Sequence, residues 1–300
     1  MSNSSPSPML PVVGIGCALL AAMLISVSNV WSGQFYRDGG NGESLLLLRY
    51  LAFVPVMLAL VRLRVGSLRL PSGHTKAVWV TGACYAVGGG ALVLAFGRLP
   101  VSLVVLILYT FPFVTLVAEC CLFRTLPRWY QLALMLLAFA GLVLALGSEL
   151  ASLDPLGLVF AALAPIGVGL SFALTGRYLT RINSLLLALH MGVVALVLAV
   201  LLVVSTDSLA LPSSRAAWTT LAIVAAAFSV AYVAMFAAVQ RAGASLAATV
   251  MNLEPVVTLW LAAWVLAESL TDQQWLGACC VIVAVIVYPV LSRRDAAAAA

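Results

Sequence analysis

The sequence is a near-continuous series of apolar segments, separated by short polar loops and each long enough to cross a bilayer as a helix of about 20 residues. With 64% hydrophobic and 8% charged residues, it cannot be a soluble domain, where about 25% of residues are charged. The segments are continuously apolar rather than alternating, which favours α-helices over a β-barrel. We therefore predict an all-α polytopic membrane protein with ten transmembrane helices, at 11–32, 44–62, 77–96, 100–122, 129–147, 155–176, 183–204, 216–238, 243–267 and 274–291.

Charge and cysteine usage exclude several classes of function. The net charge is +5, but the basic residues are scattered singly, so a nucleic-acid partner is not expected. The only lysine, Lys76, lacks the glycine pattern of an ATP-hydrolysing P-loop. The six cysteines lie inside apolar runs and show no disulfide framework and no metal-binding spacing. We expect no cofactor, no metal and no catalytic residue, and any work must draw on an ion or substrate gradient.

The distribution of basic residues predicts the orientation. With the N-terminus in the cytoplasm, the inside loops hold 62, 64, 69, 76, 124, 128, 177, 181, 241, 293 and 294, whereas the outside loops hold only 37, 98 and 215. Lysine and arginine favour cytoplasmic loops, so both termini are predicted to be cytoplasmic. The N-terminus lacks the basic region of a secretory signal, so we expect the first segment to be a retained helix. A bacterial cytoplasmic (inner) membrane is the expected location.

The chain also repeats itself at a shift of 143 residues, which superposes the fourth segment on the ninth. Arg98 then matches Arg241, and Pro112 matches Pro255. Each half holds five spans, so we predict two domains, 1–150 and 151–300. Because five is odd, the second half must insert upside down relative to the first. Inverted repeats are typical of secondary transporters, which bind substrate near the bilayer midplane between the halves.

Four stretches carry a resemblance to a known family: LLLLRYLAFVPVMLAL at 45–60, the fourth segment through Pro112, the fifth segment around Gly141, and AVQRAGASLAATVMNLEPVVTLWLAAWVLAESLTDQQWLGA at 238–278. Together they are similar to the EamA-type permeases of the drug/metabolite transporter superfamily, which have two tandem five-helix units. Ala267-Glu268 stands where that family usually has Gly-Glu, whereas the first half has Phe123-Arg124 at the matching place. The resemblance implies transport of small organic metabolites and does not indicate which one.

Apart from Arg62 at the end of its span, three charged residues fall within the predicted spans, where a charge at the bilayer centre costs about 2.5–3.5 kcal/mol on insertion scales. Glu254 lies near the midplane, where it could bind substrate or a proton, or pin two helices together. Arg49 lies about one and a half turns from the outer end of its span. It could pair with Glu254, bind an anionic substrate group, or reach the headgroups with its long stem. Glu119 lies one turn from the cytoplasmic end, where reaching water is easier.

Uncharged polar and aromatic residues complete the predicted site. Tyr109 and Asn252 occupy equivalent repeat positions, three residues before the predicted helix breaks at Pro112 and Pro255. They could contact substrate or bond neighbouring helices. Further candidates for the same cavity, or for membrane-interface anchors, are Asn29, Trp31, Tyr85 and Tyr232. We interpret His190 as a buried core histidine and 88–90, a run of three glycines, as a close helix contact or hinge.

A secondary transporter, with export as the expected direction, explains these features best. Its expected partners are a small metabolite and lipid, with protons as a candidate coupling ion. The alternatives are an intramembrane enzyme, for which Gly169-Leu170-Ser171 only faintly resembles a nucleophile motif, and a non-transporting scaffold. An enzyme or a scaffold needs no two related halves. The sequence indicates neither the substrate nor the oligomeric state.

The charge bias makes a prediction about topology. Reporter proteins fused near residue 150 and at residue 295 should report opposite sides of the membrane, because five spans separate the two positions. Alkaline phosphatase and green fluorescent protein, active on opposite sides, provide the measurement. The same side for both positions would contradict the inverted repeat.

Overall fold

The computed structural model describes residues 10–37, 39–146, 154–266 and 271–298, and this part of the chain is built of helices without any strand. In chain order they are α1 (Leu10–Arg37), α2 (Gly42–Arg64), α3 (Thr75–Phe96), α4 (Val101–Leu108), α5 (Phe111–Phe123), α6 (Trp129–Leu146), α7 (Pro155–Tyr178), α8 (Ser184–Thr206), α9 (Arg215–Ala242), α10 (Ala244–Met251), α11 (Leu253–Leu266) and α12 (Asp272–Ala298).

These helices account for the ten predicted spans. Among the described residues, nine helical segments are long and apolar enough to cross a membrane, and a tenth, in α6, is shorter. The fourth span consists of α4 and α5, and the ninth of α10 and α11. The all-α class with its two five-helix repeats is thereby confirmed. The predicted domain boundary at 150 and the Ala267-Glu268 pair lie outside the described residues.

The packing of the helices follows the repeat. The shift of the sequence relates α1 to α7 and α3 to α9, and the structure packs α1 on α9 and α3 on α7. Exchanging the two halves therefore turns the contact of α1 with α9 into the contact of α7 with α3. The helices α2 and α8 are equivalent and pack on each other, as do α6 and α12. The main contacts of each half are thus with the other half rather than within itself.

Local signals at helix ends follow the repeat as well. The Gln131 Oε1 accepts from the backbone N–H of Arg128 (2.8 Å) at the start of α6, and the Gln274 Oε1 accepts from that of Thr271 (2.9 Å) at the start of α12. Each glutamine stands three residues after the cap residue, as in a capping box. The two caps lie 143 residues apart, so the sequence repeat continues into the fifth and tenth spans.

An ion pair joins the two halves in the loops. The Arg98 guanidinium donates to the Asp154 carboxylate (3.0 Å), and Asp154 also accepts from the Leu156 N–H at the start of α7. These hydrogen bonds, that of Arg98 first, hold the pKa of Asp154 below its usual range. The pair is therefore present at neutral pH and lost as the pH falls through that lowered pKa.

Close contact between the halves depends on small residues. A Cβ atom on Gly88 of α3 would lie 2.9 Å from the Ala164 carbonyl oxygen and 3.3 Å from the Gly167 Cα of α7. The predicted role of the glycine run in close helix packing therefore applies to Gly88. The neighbouring Gly89 faces open space, because a Cβ there would meet nothing within 4 Å.

Adjacent glycines therefore provide a matched test of this contact. Gly88→Ala should lower the free energy of unfolding by about 1 kcal/mol or more, because overpacking costs about 1–3 kcal/mol. Gly89→Ala should leave it unchanged or raise it, because alanine is the better helix former by about 1 kcal/mol. Thermal unfolding in one detergent measures both variants. Equal effects would show that α3 and α7 do not depend on this close approach.

Candidate functional site

The fourth and ninth spans are both interrupted at their middle. The helix α4 ends at Leu108 and α5 begins at Phe111, whereas α10 ends at Met251 and α11 begins at Leu253. Tyr109 and Asn252 are the C-cap residues at these two interruptions. Pro112 and Pro255 follow in the first turn of the next half-helix, where a missing N–H breaks no helical hydrogen bond. The structure thus interrupts both spans where the sequence predicts breaks.

Glu254 lies at the interruption of the ninth span, as the second residue of α11. Its Oε1 accepts a hydrogen bond from the Asn29 Nδ2 of α1 (2.9 Å), and the Tyr109 phenol lies close to the same carboxyl group. The first turn of a helix has free N–H groups and a positive dipole end, which favour a carboxylate. Three separate helices, α1, α4 and α11, therefore converge on one acidic side chain.

The helix α1 contacts this interruption a second time, through Ser26. The Ser26 hydroxyl lies 2.8 Å from the Glu254 carbonyl oxygen and 2.8 Å from the Ala22 carbonyl oxygen of its own helix. It has a single proton and can donate to only one of them at a time. Ser26 was not among the predicted site residues. Its spacing of three from Asn29, on one face of a helix, is the signal that could have identified it.

Tyr85 and Tyr232, which the sequence suggested for the same cavity, are in contact. Their ring centroids are 5.3 Å apart in a T-shaped arrangement, and Tyr50 lies 6.0 Å from Tyr232. The Tyr85 hydroxyl is directed to the Met235 sulfur (3.9 Å). Phe53 of α2 also packs on Tyr232, with ring centroids 5.1 Å apart. Tyr50 and Phe53 were not among the predicted site residues, because aromatic residues in an apolar helix resemble ordinary core residues.

A chain of aromatic rings connects this cluster to the interruption of the fourth span. Phe236 lies 5.1 Å from Tyr232 and 6.1 Å from Phe172. Phe172 in turn lies 5.5 Å from Phe111, and Phe111 lies 6.5 Å from Tyr109. Aromatic pairs with offset or edge-to-face geometry each contribute about 0.5–1.5 kcal/mol beyond area burial. The tyrosines therefore belong to one continuous aromatic wall, which ends at Tyr109.

Arg49 contacts an aromatic face instead of an acid. Its Cζ lies 4.6 Å from the centroid of the Phe228 ring, and its buried Nε has no hydrogen-bond partner. Arg49 and Glu254, both described, do not form an ion pair. The pairing with Glu254, one of the three alternatives that the sequence left open for Arg49, is therefore not formed in this structure. A buried, unpartnered N–H donor remains available for an anionic group.

Four other residues from the sequence analysis have no hydrogen bond with the Glu254 side chain, and each has different surroundings. Trp31 packs against a small core cluster that contains Phe35 and Val224. Glu119 accepts hydrogen bonds from Ser245, on the stretch where α10 begins. The His190 Nδ1 lies 2.9 Å from the Leu186 carbonyl oxygen, within its own helix. Asn252 is buried with an unpartnered Oδ1, while its backbone N–H donates to the Thr249 carbonyl oxygen.

An apolar cavity of about 510 Å³ lies beside the interrupted ninth span, between α1, α11 and α12. Its lining includes Leu253, the residue immediately before Glu254. On α12 it is lined by Ile282, Ile286 and Val290, which are 39%, 62% and 48% exposed. These three recur every fourth residue on one helix face. The cavity therefore opens on the surface of the bundle that faces lipid.

Comparison with known proteins supports both the fold and the repeat. The model of the EamA-like transporter family matches twice, at residues 12–147 and at residues 155–288. No protein with a curated description matches. Several solved structures match, including one described only as "Crystal structure of protein", which is 18% identical with a TM-score of 0.75. That match covers 95% of this chain and 98% of the other, and it bears on the fold alone.

The stacking of Arg49 on Phe228 can be measured by a double-mutant cycle. Arg49→Leu and Phe228→Leu should each lower the free energy of unfolding, and the pair should be coupled by about 0.5–2 kcal/mol, the range for cation–π contacts. Arg49→Lys, which keeps the charge, should retain part of the coupling. Additive effects in the cycle would indicate that Arg49 only extends toward the headgroups.

Proposed function

Because the chain belongs to the EamA-like transporter family, we propose that it is a secondary active transporter that exports small organic metabolites across the bacterial cytoplasmic membrane by alternating access. The inverted repeat supports this proposal, since two related halves can alternate between two symmetry-related states around a fixed site. In the proposed orientation both termini are cytoplasmic. The repeats 1–150 and 151–300 would be the two units that exchange roles.

The observation that carries the proposal is the placement of Glu254. An acidic side chain at a helix interruption within the membrane is costly and marks substrate or proton pathways by default. Asn29 donates to it, and the Tyr109 phenol lies beside it, so the carboxyl group is held in one place. A carboxylate so held can bind a proton or a cationic amine, and release it when the cavity opens to the other side.

The remaining site residues have complementary roles in this proposal. Arg49 offers a free N–H to an anionic group of the substrate. Tyr85, Tyr232 and the aromatic chain between them and Tyr109 form the wall on which an apolar part of the substrate would rest. Asn252, with its unpartnered Oδ1, is a further acceptor at the interruption. Trp31 lies against a separate cluster, and we assign it no contact with substrate.

The enzymatic alternative receives no support from the serine that suggested it. The Ser171 hydroxyl is buried and donates to the Val168 carbonyl oxygen (2.7 Å) in its own helix. A nucleophile needs a base within hydrogen-bonding reach, and the bond of Ser171 is to a backbone carbonyl, which cannot act as one. We therefore develop the transport function only.

Glu254→Gln tests the role of the carboxyl group, because glutamine keeps the size and hydrogen bonding but cannot titrate. Metabolites in medium and cytoplasm are first compared with and without the chain, to identify the exported compound. Its transport into proteoliposomes is then measured against pH, for the parent and for Glu254→Gln. We expect the variant to insert normally and to lose at least about tenfold in gradient-driven transport, with a flat pH profile.

Glu43→Gln is the matched control, since Glu43 lies in the first turn of α2, away from the interruptions. It should retain the parental rate and pH profile. A hydrophobic carbodiimide gives a second measurement that needs no substrate, because it labels carboxyl groups in apolar surroundings. Label should be lost in Glu254→Gln and kept in Glu43→Gln. Parental transport and pH dependence in Glu254→Gln would leave Glu254 as a residue that only joins helices.

A further inference from the structure

The half-helix α10 lacks a cap of its own at its start. Its N-cap residue is Gly243, which has no side chain and therefore cannot accept a hydrogen bond from the first turn. The first N–H groups of a helix have no partner inside the helix. Ser245, the second residue of α10, is buried, so its N–H cannot turn to water. The required acceptor therefore has to come from a different part of the structure.

Glu119 of α5 supplies that acceptor from the other half of the chain. Its Oε2 accepts from the Ser245 backbone N–H (3.2 Å) and from the Ser245 hydroxyl group. A carboxylate at a helix N-terminus is further favoured by the helix dipole. One acidic side chain thus joins the fourth span to the ninth, at the end of α10 that lies on the same side of the membrane as the two chain termini.

Two more polar side chains extend this junction to the fifth and tenth spans. The Gln131 Nε2 donates to the Tyr288 hydroxyl (3.1 Å), while the Gln131 Oε1 is engaged by the cap of α6. The buried Tyr288 phenol lies near Ser245. The four residues Glu119, Ser245, Tyr288 and Gln131, here called the terminal-side network, therefore connect α5, α10, α12 and α6.

The equivalent half-helix in the first repeat is more exposed at its start. All eight residues of α10 are buried, whereas Val101, the first residue of α4, is 61% exposed. The shift of 143 residues pairs Glu119 with Ala262 and Tyr288 with Ala145. Alanine has no polar side-chain atom, so neither position can reproduce the carboxylate or the phenol of the network. At these two paired positions, the first repeat therefore has no counterpart of the Glu119 carboxylate or the Tyr288 phenol.

We propose that Glu119 and Ser245 act as the latch that keeps the terminal side closed, and that this bond must break before the Glu254 site opens to that side. Glu119 is then a positioning residue for α10 and has no contact with substrate. The proposal rests on the alternating-access function proposed above. It assigns to Glu119 a role different from the substrate or coupling role considered in the sequence analysis.

Thiol labelling tests the latch without any substrate. In a chain whose six cysteines are replaced, Ala248→Cys places a reporter in buried α10, one turn beyond Ser245. A membrane-impermeant maleimide is applied from each side in turn. Labelling from the terminal side should rise about tenfold in Glu119→Gln and in Ser245→Ala, the scale expected for a hydrogen bond to a charged group. The double variant should rise no further than the larger single one.

Controls separate the latch from general loosening of the fold. Ser184→Ala removes another serine hydrogen bond on the terminal side, that from the Ser184 hydroxyl to the Gln240 Oε1 (2.6 Å), and should leave the labelling unchanged. A reporter at exposed Ser72 checks that the reagent reaches this side. If Glu119→Gln fails to fold, Glu119→Asp, which keeps the charge on a shorter stem, should give an intermediate rise.

Parental labelling in well-folded Glu119→Gln and Ser245→Ala would overturn the latch, and so would an equal rise in Ser184→Ala. A rise that is additive in the double variant would also overturn it, because two independent contacts would then be involved. None of these outcomes bears on the carboxyl group of Glu254, whose own test is the pH profile of transport. The two proposals can therefore fail separately.

Discussion

Every backbone N–H and carbonyl group within a bilayer must find a partner inside the protein, because lipid provides none. An uninterrupted helix satisfies this requirement by itself, but the fourth and ninth spans are interrupted. Their free groups are met by side chains. At the interruptions, the Thr110 hydroxyl donates to the Ile107 carbonyl oxygen and Ser26 lies against the Glu254 carbonyl oxygen. At the start of the ninth span, Glu119 accepts from the Ser245 N–H. The polar residues of the membrane region are therefore concentrated where two helices stop and restart.

Because polar residues are concentrated at the interruptions, the helices that carry the site residues are also the helices that pack around them. Asn29 and Ser26 come from α1, which packs along α9 and α11, so the contact that builds the core also brings a donor to Glu254. The aromatic wall also serves both the core and the site, since Tyr232 belongs to the largest core cluster and to the chain of rings that leads to Tyr109. Small residues such as Gly88 and Gly167 let the backbones approach closely enough for short side chains to reach across.

The sequence was sufficient for the architecture, and it named several residues that the structure brings close to Glu254. Apolar length and the repeat predicted the spans, and the paired prolines predicted where two of them break. The sequence did not indicate which side chains contact each other. Whether Arg49 meets Glu254 or Phe228 depends on how helices rotate and cross, which one-dimensional spacing does not specify. Ser26 and Tyr50 were missed because serine and tyrosine are tolerated in apolar helices for many reasons, and only contact with an interruption distinguishes them.

The interlocked packing has a consequence for how the chain is made. Helices enter the membrane in order, yet α1, α2 and α3 find their main partners in α9, α8 and α7. While the second half is still being synthesised, the first half carries Asn29 and Arg49 into the bilayer before Glu254 and Phe228 exist. The early helices must therefore stay near the insertion machinery or hold water until the later ones arrive. Truncation anywhere before α9 leaves a membrane-inserted fragment with unpaired polar groups, the kind of surface that membrane proteases and chaperones recognise.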